Sequence, residues 1–125
     1  MKLITQPEGS TVCGQCCVAM IVGVSLNSCL TVFCHDWATS PKVLRWALKY
    51  YHYTPARRLL KIKLPALLPD LCILKLTYPF QQMGHWVVYN AGQIYCSVHG
   101  IYDYNKYEAV ADGKLTHYLG FTKTK

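Results

Sequence analysis

The first half of the chain places its apolar residues at the spacing of helices. The pattern predicts three helices, over about residues 12–24, 26–34 and 41–51. Ser10-Thr11 precede the first helix and can cap it, while Ser40 precedes the third and Pro41 takes its first helical position. The helical part is therefore expected to span about residues 10–52.

The second half changes to the β-branched, aromatic and alternating pattern of strands. It predicts strands over about residues 71–77, 85–89, 93–98, 101–104 and 116–121. Asn90-Ala91-Gly92 indicates a hairpin turn between the second and third of these strands. Helices followed by an antiparallel sheet indicate an α+β fold in a single domain, residues 1–125, with the sheet part over about residues 53–122.

The composition indicates a folded protein. Hydrophobic residues make up 52% of the chain and the mean hydropathy is +0.13, whereas disorder requires low hydrophobicity and many charges. No apolar run reaches the ~18 residues that span a bilayer, and the first residues lack the apolar segment of a signal peptide. We therefore expect a cytoplasmic protein with no membrane partner. Its seven cysteines would be free thiols, a catalytic thiol or metal ligands, and three in apolar sequence are expected to be small core residues: Cys29, Cys72 and Cys96.

The net charge of +7 is concentrated in one block. No acidic residue lies between Asp36 and Asp70, and seven basic residues do: Lys42, Arg45, Lys49, Arg57, Arg58, Lys61 and Lys63. Such a block attracts anions at long range, although a solvated helix face and loop would have the same composition. The ten tyrosines are scattered and do not form a base-stacking platform with the basic residues. An acidic peptide or protein partner is therefore favoured over a nucleic acid.

Cys13 is the candidate nucleophile. It lies in the first turn of the first predicted helix, where the helix dipole stabilises the reactive thiolate. Gly14 follows it and has no side chain, so a substrate would be able to approach the backbone closely. Cys16 and Cys17 lie deeper in the same helix and are expected to be packing residues.

His85 is the candidate base. It opens an apolar strand, so its imidazole would be held rigidly at the edge of the sheet. Asp103 is the expected third group, which would orient the imidazole; the alternatives are Asn90, Asn105 and His99. Gln6 is expected to donate its side-chain amide to the oxyanion that develops during attack.

These residues resemble the papain-like cysteine peptidases. More narrowly, they resemble the bacterial peptidases that cleave double-glycine leaders from bacteriocins, and their stand-alone relatives. That family's pattern is a glutamine, a Cys-Gly pair that opens a helix, a His-aromatic-Val-Val strand and an aspartate. The matching residues are Gln6, Cys13-Gly14, His85-Trp86-Val87-Val88 and Asp103. The resemblance implies a papain-like fold, with Gly14 and Trp86 in the substrate cleft. It also implies hydrolysis of a peptide or isopeptide bond by a Cys-His-Asp triad through a thioester, with no metal or cofactor.

Three other functions fit parts of the sequence. Zinc binding is one, because Cys13, Cys16, Cys29 and Cys34-His35 supply enough ligands, although no second Cys-x-x-Cys pair occurs. The papain-like fold also serves other acyl transfers, such as deamidation or transglutamination, and a degenerate site can act as a protein-binding module. Nucleic-acid binding by the basic block is the third.

Overall fold

Three helices form the first part of the molecule. The computed structural model describes residues 1–80 and 84–125, and the helices are α1 (Cys13–Val22), α2 (Leu26–Phe33) and α3 (Pro41–Tyr50). The side chains of Ser25 and Ser40 cap α2 and α3, each accepting a hydrogen bond from the backbone N–H three residues ahead. The cap predicted for α1 is wrong. Its N-cap residue is Val12, and no side chain of the described residues caps it.

Eight strands and a fourth helix make up the rest of the described chain. In order these are β1 (Tyr53–Pro55), β2 (Leu60–Lys61), β3 (Leu71–Thr77), β4 (His85–Asn90), β5 (Gln93–Cys96), β6 (Gly100–Asp103), α4 (Tyr104–Ala111), β7 (Lys114–Leu119) and β8 (Phe121–Lys123). A 3-10 turn at Pro65–Leu67 precedes β3. Six strands form one antiparallel sheet in the order β2-β7-β3-β4-β5-β6, and β1 pairs with β8. The predicted α+β class is confirmed.

The six-stranded sheet is covered on both faces. One face packs against α1, α2 and α3, and Trp86 and Val88 of β4 point to that side. The other face packs against α4, whose Tyr107 lies in a cluster with Val87. Strands β3 and β4 are therefore apolar on both faces, which explains their nearly continuous hydrophobic sequence.

Helix α1 lies at the centre of the structure. Every residue from Cys13 to Ile21 is buried, and the helix packs against β4 as well as α2 and α3. This packing brings the first turn of α1 to the start of β4, so the fold delivers the Cys13 and His85 regions to one place.

None of the helices in the described residues is both long enough and apolar enough to cross a bilayer alone. Helices α1 and α2 meet the criteria only when taken together, and the chain bends by 116° between them.

Candidate active site

The Cys13 thiol lies at the junction of α1 and β4. Cys13 is 7% exposed, and its Sγ accepts a hydrogen bond from the backbone N–H of Trp86 at 3.4 Å. Burial raises the pKa of this thiol above its ordinary value, although the N–H groups of Trp86, Gly14 and Cys13 itself oppose the rise. The N–H groups of Cys13 and Gly14 lie in the first turn of α1, which no side chain of the described residues caps, so they can stabilise negative charge on the sulfur.

His85 is the first residue of β4, as the sequence predicts. Its ring contacts Cys96, which belongs to the cluster on the α4 face of the sheet, whereas Cys13 belongs to the cluster on the α1 face. The ring atom Nε2 lies 3.3 Å from the Cys96 Sγ. Burial, and next the neighbouring His99, lower the pKa of His85 to about 4. The imidazole is therefore neutral at pH 7, in the form that can accept a proton.

Cys96 is the centre of a small hydrogen-bond network. Its Sγ accepts from the Tyr107 hydroxyl at 3.1 Å and from the backbone N–H of His99 at 3.4 Å. The His99 Nδ1 lies 3.5 Å away. Cys96 therefore engages Nε2 of His85 through a sulfur that also accepts from two other donors. With Nε2 engaged in this way, Nδ1 is the ring nitrogen that remains for proton transfer.

Strand register explains why Cys96 meets His85. Val88 pairs with Tyr95 across β4 and β5, so continuing the ladder by one pair places Cys96 opposite Val87. Side chains two residues apart on a strand share a face, hence Cys96 is a diagonal neighbour of His85. The apolar sequence around Cys96 predicts only a core position for it. It is fully buried, but its contact with His85 was missed, although the hairpin turn and strand alternation were sufficient to find it.

The expectation that Asp103 orients His85 is not met by the strand register. Asp103 pairs with Gln93, and Gln93 pairs with Asn90 at the far end of β4. Five residues of strand separate His85 from that end, or roughly 16 Å. The cause is the tight return after β5, which sends β6 back along the sheet and away from the imidazole.

The alternatives for the third group divide in the same way. Asn90 lies at the far end of β4, and Asn105 lies beyond Asp103 in α4, exposed to solvent. His99 is the alternative that the structure brings close, since it contacts Cys96 and contributes to the low pKa of His85. The groups that the structure places near the His85 ring are thus the Cys96 thiol and the His99 imidazole, and not the expected carboxylate.

Gln6 is held beside the end of β5. Its backbone N–H donates to the Ser97 carbonyl at 2.9 Å, and its Oε1 accepts from the Ser97 hydroxyl at 2.6 Å. Its Nε2 donates to the Ser10 carbonyl at 2.8 Å. Ser97 directly follows Cys96, so Gln6 reaches the edge of the network, but the amide hydrogen expected for the oxyanion is directed towards Ser10.

A cleft of about 200 Å³ opens beside Cys13. Its lining residues are Cys13, Ala38, Thr39, Pro41, Lys75, Gly84 and Trp86. Trp86 forms one wall, and its indole Nε1 donates to the Thr39 carbonyl at 2.9 Å. Gln15 holds the adjoining loop by donating to the Trp37 carbonyl at 2.9 Å. Together these bonds fix the wall of the cleft that faces α3.

Gly14 does not line this cleft. A Cβ atom at residue 14 would lie 2.9 Å from the Thr39 Cβ and 3.2 Å from the Leu44 Cδ2. The absence of a side chain therefore allows α1 to approach the start of α3, and the expected role in substrate approach is corrected to a packing role. The backbone N–H of Gly14 still faces the Cys13 thiol.

The remaining cysteines separate clearly from Cys13. All seven are free thiols, and Cys34 is the exposed one. Burial, and next the nearby Cys13, raise the pKa of Cys16 to about 12 and that of Cys17 well above its ordinary value. Their expected packing role agrees with their burial. For the zinc alternative, residues 1–80 and 84–125 contain no group of three or more His, Cys, Asp or Glu side chains placed to hold a metal.

Comparison with known proteins adds no family assignment. No protein-family model matches the chain, and a search of curated proteins found no significant match. The functional argument therefore depends on the geometry of the site.

Proposed function

We propose that this protein is a papain-like cysteine peptidase whose nucleophile is Cys13 and whose base is His85. One observation carries the proposal. The Cys13 Sγ accepts a hydrogen bond from the N–H of Trp86, the residue next to His85, while Cys96 lies at hydrogen-bond distance from Nε2 of the His85 ring. A thiol at a helix N-terminus, in contact with the strand residue that follows an anchored histidine, supports thiol acyl transfer provided that the imidazole reaches the sulfur at the start of β4.

The proposed reaction begins with the Cys13 sulfur attacking the carbonyl carbon of a peptide bond. A C–S bond forms while the thiol proton moves to Nδ1 of His85. The backbone N–H groups of Cys13 and Gly14 stabilise the oxyanion, and Gln6 can join them only when its Nε2 leaves Ser10. His85 then protonates the leaving amine as the C–N bond breaks, which leaves a thioester on Cys13.

The thioester is hydrolysed in the second half of the reaction. His85 removes a proton from a water molecule, the hydroxide attacks the thioester carbonyl, and the C–S bond breaks to release the carboxylate and restore the thiol. The opposite pKa shifts of Cys13 and His85 imply that both groups are neutral at rest. Proton transfer therefore accompanies attack and does not precede it.

Selective alkylation of Cys13 tests the proposal. Cys34 is the exposed thiol and would obscure the result, so the experiment uses the Cys34→Ser protein. A peptide chloromethyl ketone is expected to modify Cys13 alone, and His85→Ala should slow modification roughly 10²-fold because the general base is lost. Mass spectrometry of proteolytic fragments measures the site and the rate.

The matched control is His52→Ala, which removes an exposed imidazole and should leave the rate unchanged. Modification spread evenly over the buried cysteines, or a rate at Cys13 that does not respond to His85, would refute the catalytic assignment.

Cys96 is expected to act as a positioning residue for His85. Cys96→Ala should slow alkylation of Cys13 roughly 10²-fold, while Cys96→Ser, which keeps a hydrogen-bonding atom, should remain within about tenfold of the parent. Cys72→Ala is the matched control, because Cys72 is equally buried in the same core cluster. If Cys72→Ala slows the reaction as much as Cys96→Ala, the effect is lost packing and the positioning role is wrong.

A further inference from the structure

A basic groove leads away from the active-site cleft. The cleft shares Pro41 and Lys75 with a second depression of about 430 Å³, whose other polar lining residues are Arg45, Arg57, Arg58 and His117. Through Arg45 and Arg57 this depression continues into a third, of about 340 Å³, which adds Lys42 and Lys49. We define the basic groove as the second and third depressions together, with six cations: Lys42, Arg45, Lys49, Arg57, Arg58 and Lys75.

The cations of the basic groove come from separate elements of the fold. Arg45 belongs to α3, Arg57 and Arg58 to the segment after β1, and Lys75 to β3. Lys75 lies outside the basic block of the sequence, whereas Lys61 and Lys63 of that block line a different depression together with Leu64 and Leu67. The fold therefore regroups the charges around a path that starts at Cys13.

The charge of the groove is not neutralised by its own walls. None of the chain's six acidic residues lines either depression. The pKa of His117 is lowered by burial first and then by the positive charges of Lys75 and Lys61. The lowering by these charges agrees with a positive potential in the groove. A groove with positive charge and no internal counter-charge attracts an anionic ligand.

We propose that the basic groove binds an acidic segment of the substrate polypeptide, on one side of the bond that Cys13 cleaves. The inference rests on the proposed peptidase function, because the groove joins the cleft at Lys75. An extended chain that presents a carbonyl to Cys13 passes Lys75 and reaches Arg58 and Arg57 without leaving the surface. This continuity favours a polypeptide over a nucleic acid, and it makes Asp and Glu side chains away from the scissile bond a determinant of specificity.

Binding to the catalytically inactive Cys13→Ala protein tests the inference without requiring turnover. A fluorescent peptide rich in Glu is compared by anisotropy with the same peptide carrying Gln at those positions. The Glu peptide is expected to bind at least ~10-fold more tightly, and Arg57→Glu/Arg58→Glu should remove that difference by turning attraction into repulsion. Raising salt from ~0.1 M to ~1 M shortens the Debye length from about 10 Å to about 3 Å and should also remove it.

The control is Lys2→Glu/Lys106→Glu, which changes the net charge equally at exposed residues outside the groove. It should alter binding less than ~2-fold. Equal losses of affinity in both double variants would mean that the peptide is attracted by the net charge of the protein, and would overturn the proposed binding in the groove. Tighter binding of single-stranded DNA than of the Glu peptide, lost in Arg57→Glu/Arg58→Glu, would overturn the peptide assignment. Failure of groove binding with intact alkylation of Cys13 refutes this inference alone, and the reverse result refutes the peptidase alone.

Discussion

Replacement of Cys13 by alanine is expected to abolish peptide hydrolysis. The change removes the atom that forms the thioester, and losses of roughly 10⁴-fold or more are usual when a nucleophile is removed. The measurement is cleavage of a peptide library enriched in acidic residues, with products identified by mass spectrometry. The melting temperatures of wild type and variant are measured first, because residue 13 belongs to the buried helix α1. Lost hydrolysis is attributed to the missing thiol only when the two proteins are equally stable.

Cys16→Ala is the matched control for this experiment. Cys16 lies one turn further along α1, is fully buried, and has a thiol whose pKa is raised to about 12 by burial first. It should therefore retain hydrolysis. Equal loss in both variants would mean that the helix, and not the thiol, is required. Release of ammonia without chain cleavage, dependent on Cys13, would identify a deamidase on the same site.

Acid is expected to destabilise the protein through His85. Burial lowers the folded-state pKa of His85 from 6.5 to about 4, so between these pH values the unfolded chain binds the additional proton. Stability from this group is therefore complete above pH 6.5 and is lost as the pH falls towards 4. At about 1.4 kcal/mol for each pH unit, the loss in the free energy of unfolding is about 3 kcal/mol.

Urea unfolding at several pH values across this window measures the effect. The His85→Gln protein lacks the titrating group, so its stability should depend less on pH by about 3 kcal/mol. His52→Asn, at an exposed histidine, should keep the slope of the wild type. An NMR titration of the His85 ring gives a second measurement that does not require the variant to fold. A normal histidine pKa at that ring, or equal slopes in wild type and His85→Gln, would contradict the prediction.

Local signals in the sequence predicted much of the fold. Ser40-Pro41 gave the start of α3, the apolar run gave β3 with its observed bounds, and the Asn90-Ala91-Gly92 turn gave the hairpin of β4 and β5. Each of these depends on a few neighbouring residues. Helix α4 was missed because its tyrosines continue the strand-like pattern, while its helical spacing rests mainly on two buried residues, Tyr107 and Ala111.

The positions of Cys13 at the start of α1 and of His85 at the start of β4 were likewise predictable, because each has a local signature; their catalytic roles stay predictions. The surroundings of the His85 ring were not predictable in the same way, because they depend on the pairing of strands distant in sequence. Asp103 does lie on a strand that has turned back, but β6 pairs with β5 and not with β4. The hairpin between β5 and β6 sends the chain back, so Asp103 lies at the opposite end of the sheet from His85. Cys96, at the end of β5, therefore lies beside His85.

The burial of α1 links the position of the Cys13 thiol to the stability of the folded core. Cys13 opens a helix that is buried from its first turn to Ile21, so the thiol is attached to the core of the structure. Amide protons of α1 beyond its first turn are therefore expected to exchange among the slowest in the protein. If Cys13 is the nucleophile, we expect the motion that admits a substrate to come from the walls of the cleft, because the buried helix α1 holds the sulfur in place.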